Sequence, residues 1–321
     1  MDKKYLSKKN IIKQSIGIVL GVLFLYLALK NSNLSIVKEK LKTVHILSLF
    51  FASTFLLIQY VVRSLRWQFI GSPIKKFGFI NSLLAVNIGF FINLILPFRL
   101  GEFAKVWVSV KREKISFSNG VGLLVIERGM DLLSLLIIFL CILPFAPIPD
   151  NIRNPLLIFF ILMILVFLIL IFSARKDFLF KIKKIFPENI LFNQLFDKYD
   201  KFINGIEILG SNVNLVKLIL FSLFIWVWGI FFYYLIVSGM GFQLNWSAYI
   251  ILPVIVGLGI SLPGMPGFIG TYEYFVILVL GLYGVDHNSA LAVAIVLHGW
   301  QYLLVLTVGG ISYFYEKNFF S

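Results

Sequence analysis

Runs of apolar residues about as long as a membrane is thick recur from one end of this sequence to the other. A helix needs roughly 17 to 25 such residues to cross about 30 Å of hydrocarbon, and the stretches 16–29, 46–62, 120–143, 155–172, 218–237 and 289–314 approach or reach that length. The chain therefore reads as an all-α membrane protein. Composition agrees: 60% of the 321 residues are hydrophobic and only 14% charged, where soluble domains are about half apolar and a quarter charged. Residues 1–13 are basic, but no small-residue cleavage pattern follows the first run, so an uncleaved anchor is expected rather than a signal peptide.

Two further apolar regions, 80–110 and 249–283, are interrupted. The first contains Pro97 and Gly101, the second Pro263, Gly264, Pro266, Gly267 and Gly270. Proline removes an amide donor and glycine loosens a helix, so both regions are expected to hold broken helices at membrane depth, with these residues as the hinges. Each break ends in a carboxylate, Glu102 or Glu273. Each carboxylate is followed 25 positions later by a polar residue in the next long run, Glu127 or His298. That correspondence suggests a duplication.

Lysine and arginine give an orientation. If the two breaks are re-entrant hairpins, the N-terminus, 63–79, 99–119, 174–217 and the C-terminus lie on one side and hold 23 of the 29 basic residues. The positive-inside bias makes that side the cytoplasm of an inner membrane. The expectation is about six full transmembrane helices plus two re-entrant broken hairpins in inverted repeats, with eight transmembrane helices as the alternative. The whole chain, 1–321, is then one integral membrane domain. Its first repeat is 46–143, its second 218–314, and a cytoplasmic amphipathic linker, 174–217, joins them. Inverted repeats whose broken helices meet near the midplane are a recurring transporter design, because each half can open one central site to one side.

A charge at the bilayer centre costs from about 2.5 to more than 10 kcal/mol, so intramembrane charges are functional candidates. Here they are Arg99, Glu102, Glu127, Arg128, Asp131 and Glu273, joined by the titratable His298. One pocket formed by these seven residues is expected to bind substrate, with phosphate on the arginines and a cation or proton on the acids. The net charge of +14 is dispersed through short segments between apolar runs, which fits anionic lipid and not nucleic acid. The single cysteine, Cys141, and three separated histidines give no metal or redox motif, so no metal, cofactor or catalytic residue is expected.

The stretch from Asn93 through Pro97, Arg99 and Gly101 to Glu102, then Glu127-Arg128-Gly129-Met130-Asp131, then Pro263-Gly264-Met265-Pro266-Gly267 and on to Gly270 and Glu273, resembles the lysylphosphatidylglycerol synthase transmembrane, or flippase-like, family. The resemblance covers nearly the whole chain. It implies translocation of aminoacylated phosphatidylglycerol, a polyprenyl phosphate or another envelope lipid, with envelope-lipid biosynthetic enzymes as partners. It also implies a polar pocket at Arg99, Glu102, Glu127, Arg128 and Glu273. His298 departs from the pattern, standing where members often have arginine. Bifunctional members add a soluble aminoacyl-transferase domain, for which the sequence after Phe314 leaves no room, so a transporter is expected and not the synthase. A non-transporting scaffold and an intramembrane lipid-modifying enzyme are the alternatives.

Overall fold

The computed structural model describes residues 8–30, 32–173, 212–261 and 264–320, and every regular element among them is helical. In chain order these are α1 (Lys8–Leu29), α2 (Leu34–Leu41), α3 (Ile46–Gly71), α4 (Phe79–Ile95), α5 (Gly101–Glu113), α6 (Phe117–Ile142), α7 (Asp150–Ser173), α8 (Asn212–Gly239), α9 (Trp246–Gly259), α10 (Thr271–Leu282) and α11 (His287–Phe320). Polar side chains fix several helix starts. Asn33, Ser116 and Asn245 each accept a backbone N–H of the first turn, at 3.0, 3.1 and 3.0 Å, satisfying donors that the helix itself leaves unpaired.

Three described helices are long and apolar enough to cross a membrane, Ile46–Gly71, Leu215–Gly239 and His287–Glu316. The pair Val19–Leu29 and Leu34–Leu41, bent by 86°, makes a fourth if counted as one span. α6 is as long as α3 but carries Glu127, Arg128 and Asp131 in its middle. The linker expected at 174–217 falls on 174–211, outside the described residues, and then on the first turns of α8.

α3 and α8 pack along one another. The backbone N–H of His45 donates to Gly239 at 3.0 Å. Further along, the Trp228 indole donates to the Phe55 carbonyl at 3.0 Å and Gln59 to the Ile225 carbonyl at 2.8 Å. Partner numbers rise in α3 as they fall in α8, so the two helices are antiparallel. Gly229 makes the approach feasible: a Cβ there would sit 2.8 Å from the Gln59 amide nitrogen. Around this pair the packing is matched on both sides. α3 packs on α4 and α8 on α9; α5 on α6 and α10 on α11; α4 on α11 and α9 on α6.

Both predicted breaks are present, and at each the chain doubles back, so that α4 lies against α5 and α9 against α10. In the first, Phe98 and Arg99 take the left-handed conformation, φ 59° and 55°. Gly101 then touches α4 so closely that a Cβ would lie 1.9 Å from the Gly89 carbonyl oxygen, and its N–H donates to Asn93 Oδ1 at 2.7 Å. In the second, Pro266 opens a short 3-10 turn, Gly267 and Phe268 are left-handed at φ 62° and 64°, and Gly270 follows at φ 83°. Gly264 is buried, and Pro263 lies outside the described residues. Proline, two left-handed residues and glycine thus occur in the same order at 97–101 and 266–270. Aligned on these turns, Glu102 falls opposite Thr271 and not Glu273, because α10 carries its acid two residues further on.

Two expected loops are helical. α3 does not end at Val62 but continues to Gly71, carrying Arg63 and Arg66 inward, and most of 99–119 forms α5. Charge made both segments look like solvated flanks; ion pairing within the bundle keeps them folded.

Candidate functional site

Eight charged side chains from three neighbouring parts of the fold converge. α3 supplies Arg63 and Arg66, the first break and α5 supply Arg99, Glu102 and Lys105, and α6 supplies Glu127, Arg128 and Asp131. Each carboxylate meets three cations. Glu102 is 3.2 Å from Arg99, 3.3 Å from Lys105 and 3.5 Å from Arg128. Glu127 is 3.0 Å from Arg66 and 3.4 Å from Arg128, and it receives Lys105 directly. Asp131 is 2.7 Å from Arg66, 3.1 Å from Arg128 and 3.9 Å from Arg63. Five cations against three carboxylates leave a surplus of two positive charges, held by largely buried side chains whose interactions are screened less than those of surface charges.

Burial divides the cations into two kinds. The Arg66 side chain is fully buried and Lys105 is 5% exposed. Arg66 also donates to Ser222 of α8 at 3.0 Å, and the Lys105 ammonium lies 4.3 Å from the centre of the Trp67 ring. These two are enclosed by the protein. Arg99 and Arg128 are 23% and 29% exposed, and with Arg63 they line a cavity of about 400 Å³, within the usual size range of small-molecule sites. The Nε atoms of Arg99 and Arg128 have no hydrogen-bond partner among the described residues. Arg63 lies 5.8 Å from the Phe90 ring centre and 5.7 Å from that of Trp226. The remaining wall is mostly apolar, with Phe90, Leu135, Phe159 and Phe232 among its residues.

The segment that carries this network, and every other position expected in the pocket, falls within residues 14–309, which match the family described as the lysylphosphatidylglycerol synthase TM region. The protein belongs to that family. A UPF0104 membrane protein of Methanocaldococcus jannaschii is similar to it, 31% identical over 241 residues, which is 71% of this chain and 95% of the relative. Membership makes the chain a membrane-embedded protein, in keeping with its long apolar helices.

The seven predicted positions do not share one pocket. Arg99, Glu102, Glu127, Arg128 and Asp131 meet in the network. Glu273 and His298 pair with each other at the second break, Nδ1 to Oε1 2.5 Å, and neither lines the cavity. Of the predicted hinge residues, those described sit in or beside the two turns. Sequence reading overlooked Arg63, Arg66 and Lys105 as site residues. Lys105 had a signal, its three-residue spacing from Glu102 on one helix face. Arg63 and Arg66 had a weaker one, since the apolar character of α3 resumes after them with Trp67 and Ile70, both buried. Among the described residues no group of three His, Cys, Asp or Glu is arranged to hold a metal ion.

Proposed function

We propose that this protein is a transporter that moves a lipid with a phosphate-bearing head group across the inner membrane. The phosphate rests against Arg63, Arg99 and Arg128 while the acyl or prenyl tail stays in the bilayer. The observation that carries this is the cavity itself, whose one charged wall has three guanidiniums and excess positive charge and whose other walls are largely aromatic and aliphatic. A guanidinium offers paired donors that match phosphate oxygens, and exclusion of water strengthens the attraction.

The acids favour an anionic head group over an aminoacylated one. Glu102, Glu127 and Asp131 are each paired with three cations, so they orient the guanidiniums and their charge is already offset; of the three only Asp131 lines the cavity, where its Oδ2 has no hydrogen-bond partner among the described residues but lies 3.1 Å from Arg128. Alternating access is supported by the matched packing of the halves. If α8 is the counterpart of α3, their antiparallel contact means that the second half is inverted relative to the first, as the repeat reading requires.

The test is reconstitution into vesicles with a fluorescent polyprenyl phosphate, phosphatidylglycerol or its lysyl ester, following loss of outer-leaflet signal. The polyprenyl phosphate or phosphatidylglycerol is expected to cross faster than in protein-free vesicles and to be recovered chemically unchanged. If none of the three lipids moves faster, the scaffold alternative is the better one; a chemically altered lipid would make the protein an enzyme.

A further inference from the structure

We infer that Glu273 and His298 form a proton-binding site, separate from the phosphate site, whose occupancy is coupled to that site through the turn at Gly267 and Phe268. The inference rests on the transporter function proposed above and assigns its coupling ion.

Hydrogen-bond arithmetic at the imidazole carries it. His298 Nε2 lies 2.9 Å from the Gly267 carbonyl oxygen, which can only accept, so Nε2 bears a proton. Nδ1 lies 2.5 Å from Glu273 Oε1. The other carboxyl oxygen accepts the Gly270 N–H at 2.7 Å, at the start of α10. A short contact between Nδ1 and Oε1 needs a proton between them. The pair is then an imidazolium with a carboxylate, or an imidazole with a carboxylic acid. Both descriptions contain one proton more than neutral imidazole with ionised Glu273. When that proton leaves to water, either the remaining ring proton moves to Nδ1 and Nε2 stops donating to Gly267, or two lone pairs face each other across the Nδ1–Oε1 contact and the ring or the carboxyl turns away.

The surroundings make this site unlike the network on α6. There, every acid is paired with arginine or lysine; here the partner of the carboxylate is an imidazole. The titratable groups facing the pair are Tyr272, stacked on the imidazole at 4.2 Å, and Tyr302, edge-on at 4.8 Å. The other packed elements bring neutral groups: α1 gives Phe24 and Leu25 to α10, α9 gives Gly259, α4 gives Asn87 and Phe91 to α11, and α3 gives Ser53 to Trp300. α2 reaches the start of α11, where the Asn33 N–H meets Asn288. From α8, Tyr233 accepts the Tyr272 hydroxyl at 3.3 Å, and Tyr233 lines the cavity.

The link to the lipid site is short. Gly267, whose carbonyl holds the imidazole, precedes Phe268, a non-glycine residue kept at φ 64°. Such a conformation persists only where its surroundings enforce it. Phe268 lines the cavity, and the Arg99 guanidinium lies 6.0 Å from its ring centre. Proton loss that releases the Gly267 carbonyl frees the turn that seats Phe268 against Arg99.

Nitrogen-15 NMR of histidine-labelled protein in lipid tests the proton site without any transport. The protein has three histidines, and His298→Gln identifies the signal of His298. The account expects that signal to move between a proton-shared and a neutral imidazole form as pH rises, and expects Glu273→Gln to abolish the shared form. A neutral imidazole beside ionised Glu273 at every pH would overturn it. In vesicles, an imposed pH gradient should change the wild-type rate for a polyprenyl phosphate by about tenfold and leave the rate of His298→Gln unchanged. Equal responses of the two proteins would overturn the coupling. If the wild-type protein moves no lipid at all, the transporter function falls, and the NMR titration still decides whether the pair binds a proton.

Discussion

Arg66 donates to Asp131 at 2.7 Å across 65 positions of sequence, and the arginine side chain is fully shielded from solvent. A guanidinium in that position is tolerable because Glu127 and Ser222 also accept from its terminal nitrogens, although its Nε has no hydrogen-bond partner among the described residues. Removing one partner from a buried ion pair typically costs about 3–5 kcal/mol, since the remaining charge is left uncompensated. Arg66 is thus the strut of the network, tying α3, α6 and α8 together, whereas Arg99 and Arg128 face the cavity.

Arg66→Leu is accordingly expected to lower the thermal unfolding midpoint sharply, with a loss of about 3–5 kcal/mol, or to prevent recovery of monodisperse protein. Thermal unfolding in detergent, with Arg128→Gln as the comparison, checks this. An unchanged midpoint for Arg66→Leu would mean that the pairs to Asp131 and Glu127 do not hold the helices.

Arg99→Gln and Arg128→Gln separate function from folding. Both side chains are partly open to the cavity, so the variants should remain folded. Each should slow translocation of a phosphate lipid by about tenfold or more, as expected when one charge-assisted contact is lost. Rates equal to wild type in both variants would remove the guanidiniums from the transport pathway.

The first hairpin depends on Gly101, where a Cβ would lie 1.9 Å from the Gly89 carbonyl oxygen and 2.6 Å from Asn93 Oδ1. Gly101→Ala forces α4 and α5 apart and should reduce the folded yield. Gly281→Ala on α10 meets nothing within 4 Å and should be neutral or raise stability by up to about 1 kcal/mol. Size-exclusion profiles of the two variants side by side decide the matter.

Much of this was legible in the sequence because proline, glycine and charge are conspicuous inside apolar runs. Pro97, Gly101, Pro266, Gly267 and Gly270 marked the two turns, and Glu102, Glu127, Arg128 and Asp131 stood out as charges with apolar flanks. Arg63 and Arg66 were not legible as site residues. A charge at the end of an apolar run looks like a water-exposed flank, and only the distant acids on α6 turn those two arginines inward. The spacing of Glu273 and His298, equal to that of Glu102 and Glu127, suggested a duplication, but their contact with each other and their separation from the network depend on how the hairpins pack, and a one-dimensional pattern does not contain that.

The proposed inversion of the second half predicts sidedness. Single cysteines replacing Lys183 and the exposed Gln243 of the α8–α9 connection, in a background lacking Cys141, should react with impermeant reagent from the cytoplasmic and the external side respectively. Reaction of both from the same side would contradict an inverted second half.

The most direct test of the central claim is native mass spectrometry of the purified protein with a polyprenyl phosphate, compared with the triple variant Arg63→Gln, Arg99→Gln, Arg128→Gln. The account predicts a retained phosphate lipid on the wild-type protein and its loss from the folded triple variant. Equal retention of that lipid by both proteins would contradict the assignment of the guanidinium-lined cavity as the head-group site.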